Sequence, residues 1–365
     1  MRGKIGQFWQ RISDGLAIQQ LWEQFHADAR TSYQLYSKEV RSEAMEGESR
    51  WKHVWPTAQG LFWAMMMKLS PGRRVMLLTA LVILLLPDMR ITGREVNVDT
   101  SAFRFWAGAI LFVLLALELA DRVSMKRDLE IAREIQRWLM PSVPPEVPGF
   151  DIAFASRPAN TVAGDYYDAF FRPNNCLLII VADVVGKSVP AALLTATLQA
   201  SLRTLAALPG SLAELVSRVN RYACDQNVGG HRFTTAFLAE LEPSSGCMTY
   251  VNAGHNWPVL RRGSGIIERL QIGGLPLGIS GGRSYESAMV NLGRGDLLLM
   301  FTDGIVEAEN EQALEYGEER MLPLVQEMQN ANAHEALTKL MSSVDWFVGS
   351  TRQHDDITCV AVRVC

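Results

Sequence analysis

The sequence predicts an α+β domain preceded by a helical, partly apolar N-terminal region. Three observations carry this. Short apolar runs with strand character recur from Phe150 to the C-terminus: DIAFASR, CLLIIVAD, TAFLAEL, CMTYVN, DLLLMFTD and ITCVAVR. Helical stretches fall between them in pairs, at 190–207 with 211–227 and at 318–329 with 332–347, rather than alternating strand by strand. Ahead of the strands stand two unbroken apolar runs and a polar, helix-prone segment.

Composition limits the function classes. The 365 residues are 48% hydrophobic and 20% charged, with a net charge of -4, which fits a folded globular chain. No basic patch interleaved with aromatics marks a nucleic-acid footprint. The five cysteines form no CxxC pair, and the opening MRGKIGQFWQ has no basic-then-apolar leader pattern. A zinc knuckle or secreted disulfide framework is therefore disfavoured against a reducing compartment.

Taken in order, residues 1–70 read as a helical region with scattered tryptophans and no chemical motif. Residues 71–120 hold the runs VMLLTALVILLL (75–86) and FWAGAILFVLLAL (105–117). Each is shorter than the ~20 residues of a spanning helix, so burial in a core is one reading. A membrane hairpin over about 73–91 and 102–119 is the other. It is favoured by the lack of helical face alternation, the short loop between the runs, and Arg73, Arg74, Arg122, Lys126 and Arg127 at the outer ends. Those basic residues place both outer ends in the cytoplasm. Residues 121–142 read as a charged amphipathic linker helix with Leu129, Ala132, Ile135 and Leu139 at helical spacing, ended by Pro141. It either packs on its own domain or pairs across a homodimer. Residues 143–365 form the α+β domain.

The chemistry lies in carboxylates. Asp183 and Asp303 end apolar strands, Asp355 and Asp356 precede another, and Asp165 sits at a turn marked by Gly164. A carboxylate at the edge of a buried strand is costly unless it is paired or cation-bound. Several together, without soft ligands and with histidines scattered, suit Mg²⁺ or Mn²⁺ rather than zinc. Two such ions can activate a bridging water for attack on phosphorus. No GxSxG or phosphate-cradling cysteine offers a covalent route. Asp168 faces away from Asp165 on an extended segment and reads as structural. His255 is either a proton donor or a turn-fixing residue, and Lys187 either a phosphate contact or a solvated side chain. Asn252 and Asn256 serve turns.

At these residues the chain resembles the PPM metal-dependent protein phosphatases, in their bacterial SpoIIE/RsbU-like branch. The resemblance covers roughly 126–365 through AREIQRWLMP, TVAGDYYDAF, VADVVGKSVPAALL, FTTAFL, YVNAGHNWPVL, GGLPLGI, GDLLLMFTDGIVEAEN and DDITCVAV. It implies an α-β-β-α sandwich of two antiparallel sheets and hydrolysis of phosphoserine or phosphothreonine on a protein. The implied substrate is an anti-sigma-factor antagonist or a similar switch protein. It also implies two divalent ions held by Asp165, Asp183, the Val184 carbonyl, Asp303 and Asp355, while Asp356 either holds its neighbour or serves a third ion. Taken with the two apolar runs and their basic flanks, this bacterial branch sets the chain in the bacterial cytoplasmic membrane, with the catalytic domain in the cytoplasm. Departures are Ala163 and Ser188 at family glycines and Val185 where eukaryotic members carry a histidine. Two other readings remain at this point, a non-catalytic membrane-anchored scaffold and a metal-dependent phosphodiesterase.

Overall fold

A computed structural model describes residues 66–67, 69–85, 90–92, 97–99, 101–186, 189–226 and 232–365. The expectations for most of the 1–70 region and for Lys187 and Ser188 lie outside the described residues. The chain divides into two compact units, Met1–Val123 and Ser124–Cys365.

In the first unit, helix α1 (Pro71–Leu85) takes up most of the first apolar run. At ~1.5 Å per residue its 15 residues reach about 22 Å, short of a ~30 Å hydrocarbon core. Strands β1 (Arg90–Thr92) and β2 (Asn97–Asp99) pair antiparallel, Ile91 opposite Val98, where only a connecting loop was expected. Helix α2 (Ser101–Leu139) follows. Among the described residues it is the one helix long and apolar enough to cross a membrane. Phe105, Phe112, Leu115 and Leu119 along it are exposed. Arg73 pairs with Asp121 at 2.6 Å and with Glu118 at 3.4 Å.

The second unit is built on two sheets. One runs β10-β7-β6-β5-β4, with β11 also on β7; the other runs β3-β13-β12-β8-β9. The strands of the first are β4 (Asp165–Phe171), β5 (Leu177–Val184), β6 (Thr234–Glu242), β7 (Cys247–Ala253), β10 (Gly273–Gly274) and β11 (Ala288–Asn291). Those of the second are β3 (Phe150–Arg157), β8 (Val259–Arg261), β9 (Ile267–Arg269), β12 (Leu297–Phe301) and β13 (Ile357–Val364). Pairing is antiparallel throughout except between β10 and β7.

Residue alternation then decides the layers. On β5, Leu177, Ile179 and Val181 join Phe237 and Tyr250 in a core that meets Leu298, Met300, Val360 and Val362 of the other sheet. The intervening Leu178 and Ile180 face helices α3 (Val189–Ala206) and α4 (Leu212–Gln226) through Leu198, Leu202, Leu215 and Val219. On the far side, Leu297, Leu299, Phe301 and Cys359 pack on helices α6 (Glu318–Gln326) and α7 (Ala333–Val348). The result is the expected helix-sheet-sheet-helix stack. Central strands buried on both faces explain why their sequences run apolar without alternation. Each fully buried Leu, Ile or Phe adds on the order of 1.5–3 kcal/mol. Helix α7 starts on a capping box: Asn332 Oδ1 accepts from Glu335 N at 2.8 Å and Glu335 Oε2 from Asn332 N at 3.1 Å.

Candidate metal and phosphate site

The odd-numbered face of β5 points between the sheets, so Asp183 points there too, at the strand's end. Asp165 is the first residue of β4, rather than part of a turn, and lies directly opposite Asp183 in register. Thr235 of β6 lies opposite Asp183 on its other side. The same alternation on β12 directs Thr302, just past Phe301, into the gap between the sheets. Its Oγ1 donates to Asp165 Oδ2 at 2.8 Å and accepts from Thr358 N at 2.9 Å. One hydroxyl thus joins the ends of β12, β13 and β4. Asp303, the next residue, opens the short helix α5 (Asp303–Val306).

Asp356 braces the opposite rim. Its Oδ1 accepts from Ala159 N at 2.7 Å and its Oδ2 from Gly164 N at 2.6 Å. Asp355 Oδ1 accepts from Asp356 N at 2.9 Å, and Gln353 Nε2 donates to the Asp355 carbonyl at 2.7 Å. Gly304 is required in this arrangement: a Cβ there would stand 2.0 Å from the Asp356 carbonyl oxygen. Gly186, after Val184 and Val185, has φ +117°, a conformation that favours glycine. Ala163 does not adopt positive φ, so its extra methyl costs no backbone strain.

The turn before Asp165 is held from three sides. Gln136 of α2 forms a two-way amide pair with Ala163, donating to its carbonyl at 2.7 Å and accepting from its N–H at 2.9 Å. Thr195 of α3 donates to the Gly164 carbonyl at 2.7 Å, and Asp356 takes the Gly164 N–H. Gln136, Thr195 and Thr302 were not found from the sequence. Polar residues within apolar or amphipathic stretches carry no signal until the backbone group they satisfy is known.

Burial, then Asp183 and then Asp356 push the Asp165 carboxyl well above its ordinary range, partly offset by hydrogen bonds from Thr358 and Thr302. A cation would relieve that. The all-oxygen donor set Asp165, Asp183, Val184 carbonyl, Asp303, Asp355 and Asp356 fits a hard divalent ion in kind. Among the described residues, however, no three His, Cys, Asp or Glu side chains converge closely enough to hold an ion as they stand. The fold brings Asp165 to Asp183, to the Thr302–Asp303 junction and to Asp356, while Asp355 faces a cleft of about 170 Å³ beside Gly304.

The remaining residues take structural roles. Asp168 is fully buried, accepting the Tyr166 hydroxyl at 2.7 Å and an Arg203 fork at 2.9 and 2.8 Å. Asn252 Oδ1 accepts from His255 N at 2.7 Å. His255 is 3% exposed, with Nδ1 2.9 Å from Thr235 Oγ1. Burial pushes it down to about 4, so it is neutral near pH 7. Through Thr235 it touches the row Asp165–Asp183–Thr235.

Two sheets flanked by helix pairs, with carboxylates gathered at one end of the interlayer gap, define the PP2C-type phosphatase fold. The family model described as Stage II sporulation protein E (SpoIIE) matches residues 173–365. The phosphoserine phosphatase RsbU of Bacillus subtilis (strain 168) is 30% identical over 247 residues, 66% of this chain and 70% of that protein. The solved SiaA-PP2C domain of Pseudomonas aeruginosa superposes with a TM-score of 0.60 at 20% identity, covering 67% of this chain and 98% of that one. The PP2C domain of SpoIIE from Bacillus subtilis gives 0.52 at 20% identity, covering 59% and 63%. The chain belongs to the SpoIIE family, within its RsbU-like branch of PP2C-type phosphatases.

Proposed function

We propose that this chain is a serine phosphatase of phosphorylated proteins whose working residues are Asp165, Asp183, the Val184 carbonyl, Asp303, Asp355 and Asp356. The observation that carries the reading is the in-register pair Asp165–Asp183, joined through Thr302 to the start of α5 and faced by Asp356. Mg²⁺ or Mn²⁺ bound there supplies Lewis acidity to the phosphoryl group and to the attacking water. The chain's own residues do the positioning. Thr302 fixes the Asp165 carboxylate, Asp356 fixes the 159–164 loop, and the paired strands hold Asp165 and Asp183 at one level. Water adds to phosphorus, the phosphorus–serine oxygen bond breaks, and the serine oxygen leaves with a proton. Val185 and the buried His255 provide no side-chain acid, so solvent delivers that proton.

The relative RsbU bears the name of a phosphoserine phosphatase, which supports a phosphoserine substrate here. An anti-sigma-factor antagonist or similar switch protein is the substrate class we assign. We divide the chain into a helical region (1–70), a membrane hairpin (71–120), a linker helix (121–142) and the phosphatase domain (143–365) facing the cytoplasm. The exposed apolar surface of α2 supports membrane attachment in a bacterial inner membrane. Ile131, Ile135 and Trp138, exposed by 48%, 48% and 75% at helical spacing, support a homodimer through the linker helix.

The test is phosphate release from a phosphoserine protein by the full chain with Mn²⁺. Asp303→Asn should lower kcat by about 100-fold or more, the scale of losing one aligned charge-stabilising group. Wild-type rates in that variant would refute the reading.

A further inference from the structure

Two neighbouring clefts beside the site are walled by arginines. The first, of about 430 Å³, is lined by Arg133, Gln136 and Arg137 of α2 and by Ser156, Arg157 and Tyr167. The second, of about 410 Å³, is lined by Arg133, Asn160, Thr161 and Arg352. No Asp or Glu lines either one. The linker helix is not free to take its arginines elsewhere, because Gln136, between Arg133 and Arg137, is buried and bonded both ways to Ala163.

These walls connect to the acidic site. Arg157 and Arg352 also line the cleft that contains Asp355 and Gly304. That third cleft carries Glu307, Glu309 and Glu315, so its chemistry is the opposite: it suits a cation. Arg157 is ion-paired to Asp345 at 2.6 Å, whereas Arg133, Arg137 and Arg352 make no ion pair among the described residues. Glu130 and Glu134 share the helix with Arg133 and Arg137 but line neither cleft. Gathering like charges costs Coulomb energy, and this chain carries a net charge of -4 overall. An acid-free arginine face on such a chain matches an anionic partner, and guanidinium forks suit carboxylates in two-point contacts.

We infer that the face formed by Arg133, Arg137 and Arg352 docks an acidic segment flanking the phosphoserine of the protein substrate. This rests on the phosphatase reading, because the arginine clefts share walls with the cleft of Asp355. A substrate chain crossing that shared wall places its phosphoserine over the carboxylates and its acidic flank over the linker helix. The linker thereby becomes part of the substrate site, and a change in its position alters recognition as well as the Ala163 turn.

The test uses the full chain and two fluorescein-labelled phosphoserine peptides, one with aspartate and glutamate flanks and one with lysine flanks. Anisotropy without divalent metal reads docking, and Mn²⁺ addition then reads phosphate release separately. The acid-flanked peptide should bind about ten-fold more tightly, with the preference falling as salt rises. Arg133→Glu with Arg352→Glu should bring the ratio to about one, while Lys339→Glu on α7, a single charge reversal of the same kind placed elsewhere, should keep it. Equal binding of the two peptides by the wild type, or an unaltered ratio in the double variant, would overturn the docking face. So would loss of binding to phosphatidylglycerol vesicles with peptide preference intact, which would assign the arginines to lipid. Tight, arginine-dependent peptide binding without phosphate release on Mn²⁺ addition would support docking and sink the phosphatase reading instead.

Discussion

The two rims of the acidic site are built on opposite electrostatic terms. On the β4–β5 rim, Asp165 and Asp183 face one another in register, and burial with that repulsion drives the Asp165 carboxyl up. On the β12–β13 rim, Asp356 accepts two backbone N–H bonds and Asp303 opens a helix. The first rim opposes a negative charge, whereas the second uses one to hold the fold together. The contrast separates the aspartate whose charge its surroundings disfavour from the one that supports the loops. It also makes the two rims respond with opposite sign to loss of charge.

The largest expected effect breaks the second rim. Asp356→Ala frees the Ala159 and Gly164 amides and should cost about 3–5 kcal/mol in urea unfolding of the metal-free chain, from two charge-assisted hydrogen bonds. An unfolding midpoint close to wild type would place Asp356 with Asp165 instead.

The pH dependence sharpens the comparison on the row behind Asp183. His255 is depressed to about 4 in the folded chain against an ordinary value of 6.5. The unfolded chain therefore binds a proton that the folded chain refuses, and stability present above pH 6.5 is lost as pH falls toward 4. The loss is on the order of 3 kcal/mol from linkage. His255→Gln should flatten that part of the stability curve; an unchanged slope would show that another group causes the loss.

Gln136→Met keeps the bulk and removes both bonds to Ala163. About 1–3 kcal/mol of stability should go, with faster amide hydrogen exchange in the 159–166 segment of the metal-free chain. Exchange as slow as in wild type would show that Thr195 and Asp356 hold the turn without the linker.

Much of this was legible in the sequence. The runs ending in Asp183 and Asp303 are strands buried on both faces, so their apolar content was continuous and their terminal carboxylates stood out. Strand β4 was missed because Asp165, Tyr167 and Asp168 break the apolar pattern, and Gly164 read as a turn. Its pairing with β5 comes from tertiary contact, not from propensity. Strands β8 to β11 are too short to carry a period. The linker's apolar spacing was visible, but not its orientation: Ile135 is outward and Gln136 inward. A hydrophobicity pattern cannot report a glutamine that is buried because it satisfies a backbone amide and carbonyl.

The smallest effect has the opposite sign to the first. Asp165→Asn should raise the stability of the metal-free chain by about 1 kcal/mol, since it removes a buried charge that Asp183 and Asp356 oppose. Thermal melting of wild type and Asp165→Asn with increasing Mn²⁺ tests the proposal that Asp165 and Asp183 hold a divalent cation. Mn²⁺ should raise the wild-type Tm progressively and leave the variant, which should melt higher without metal, nearly unmoved. A wild-type Tm that does not respond to Mn²⁺, or a variant that responds equally, would contradict it.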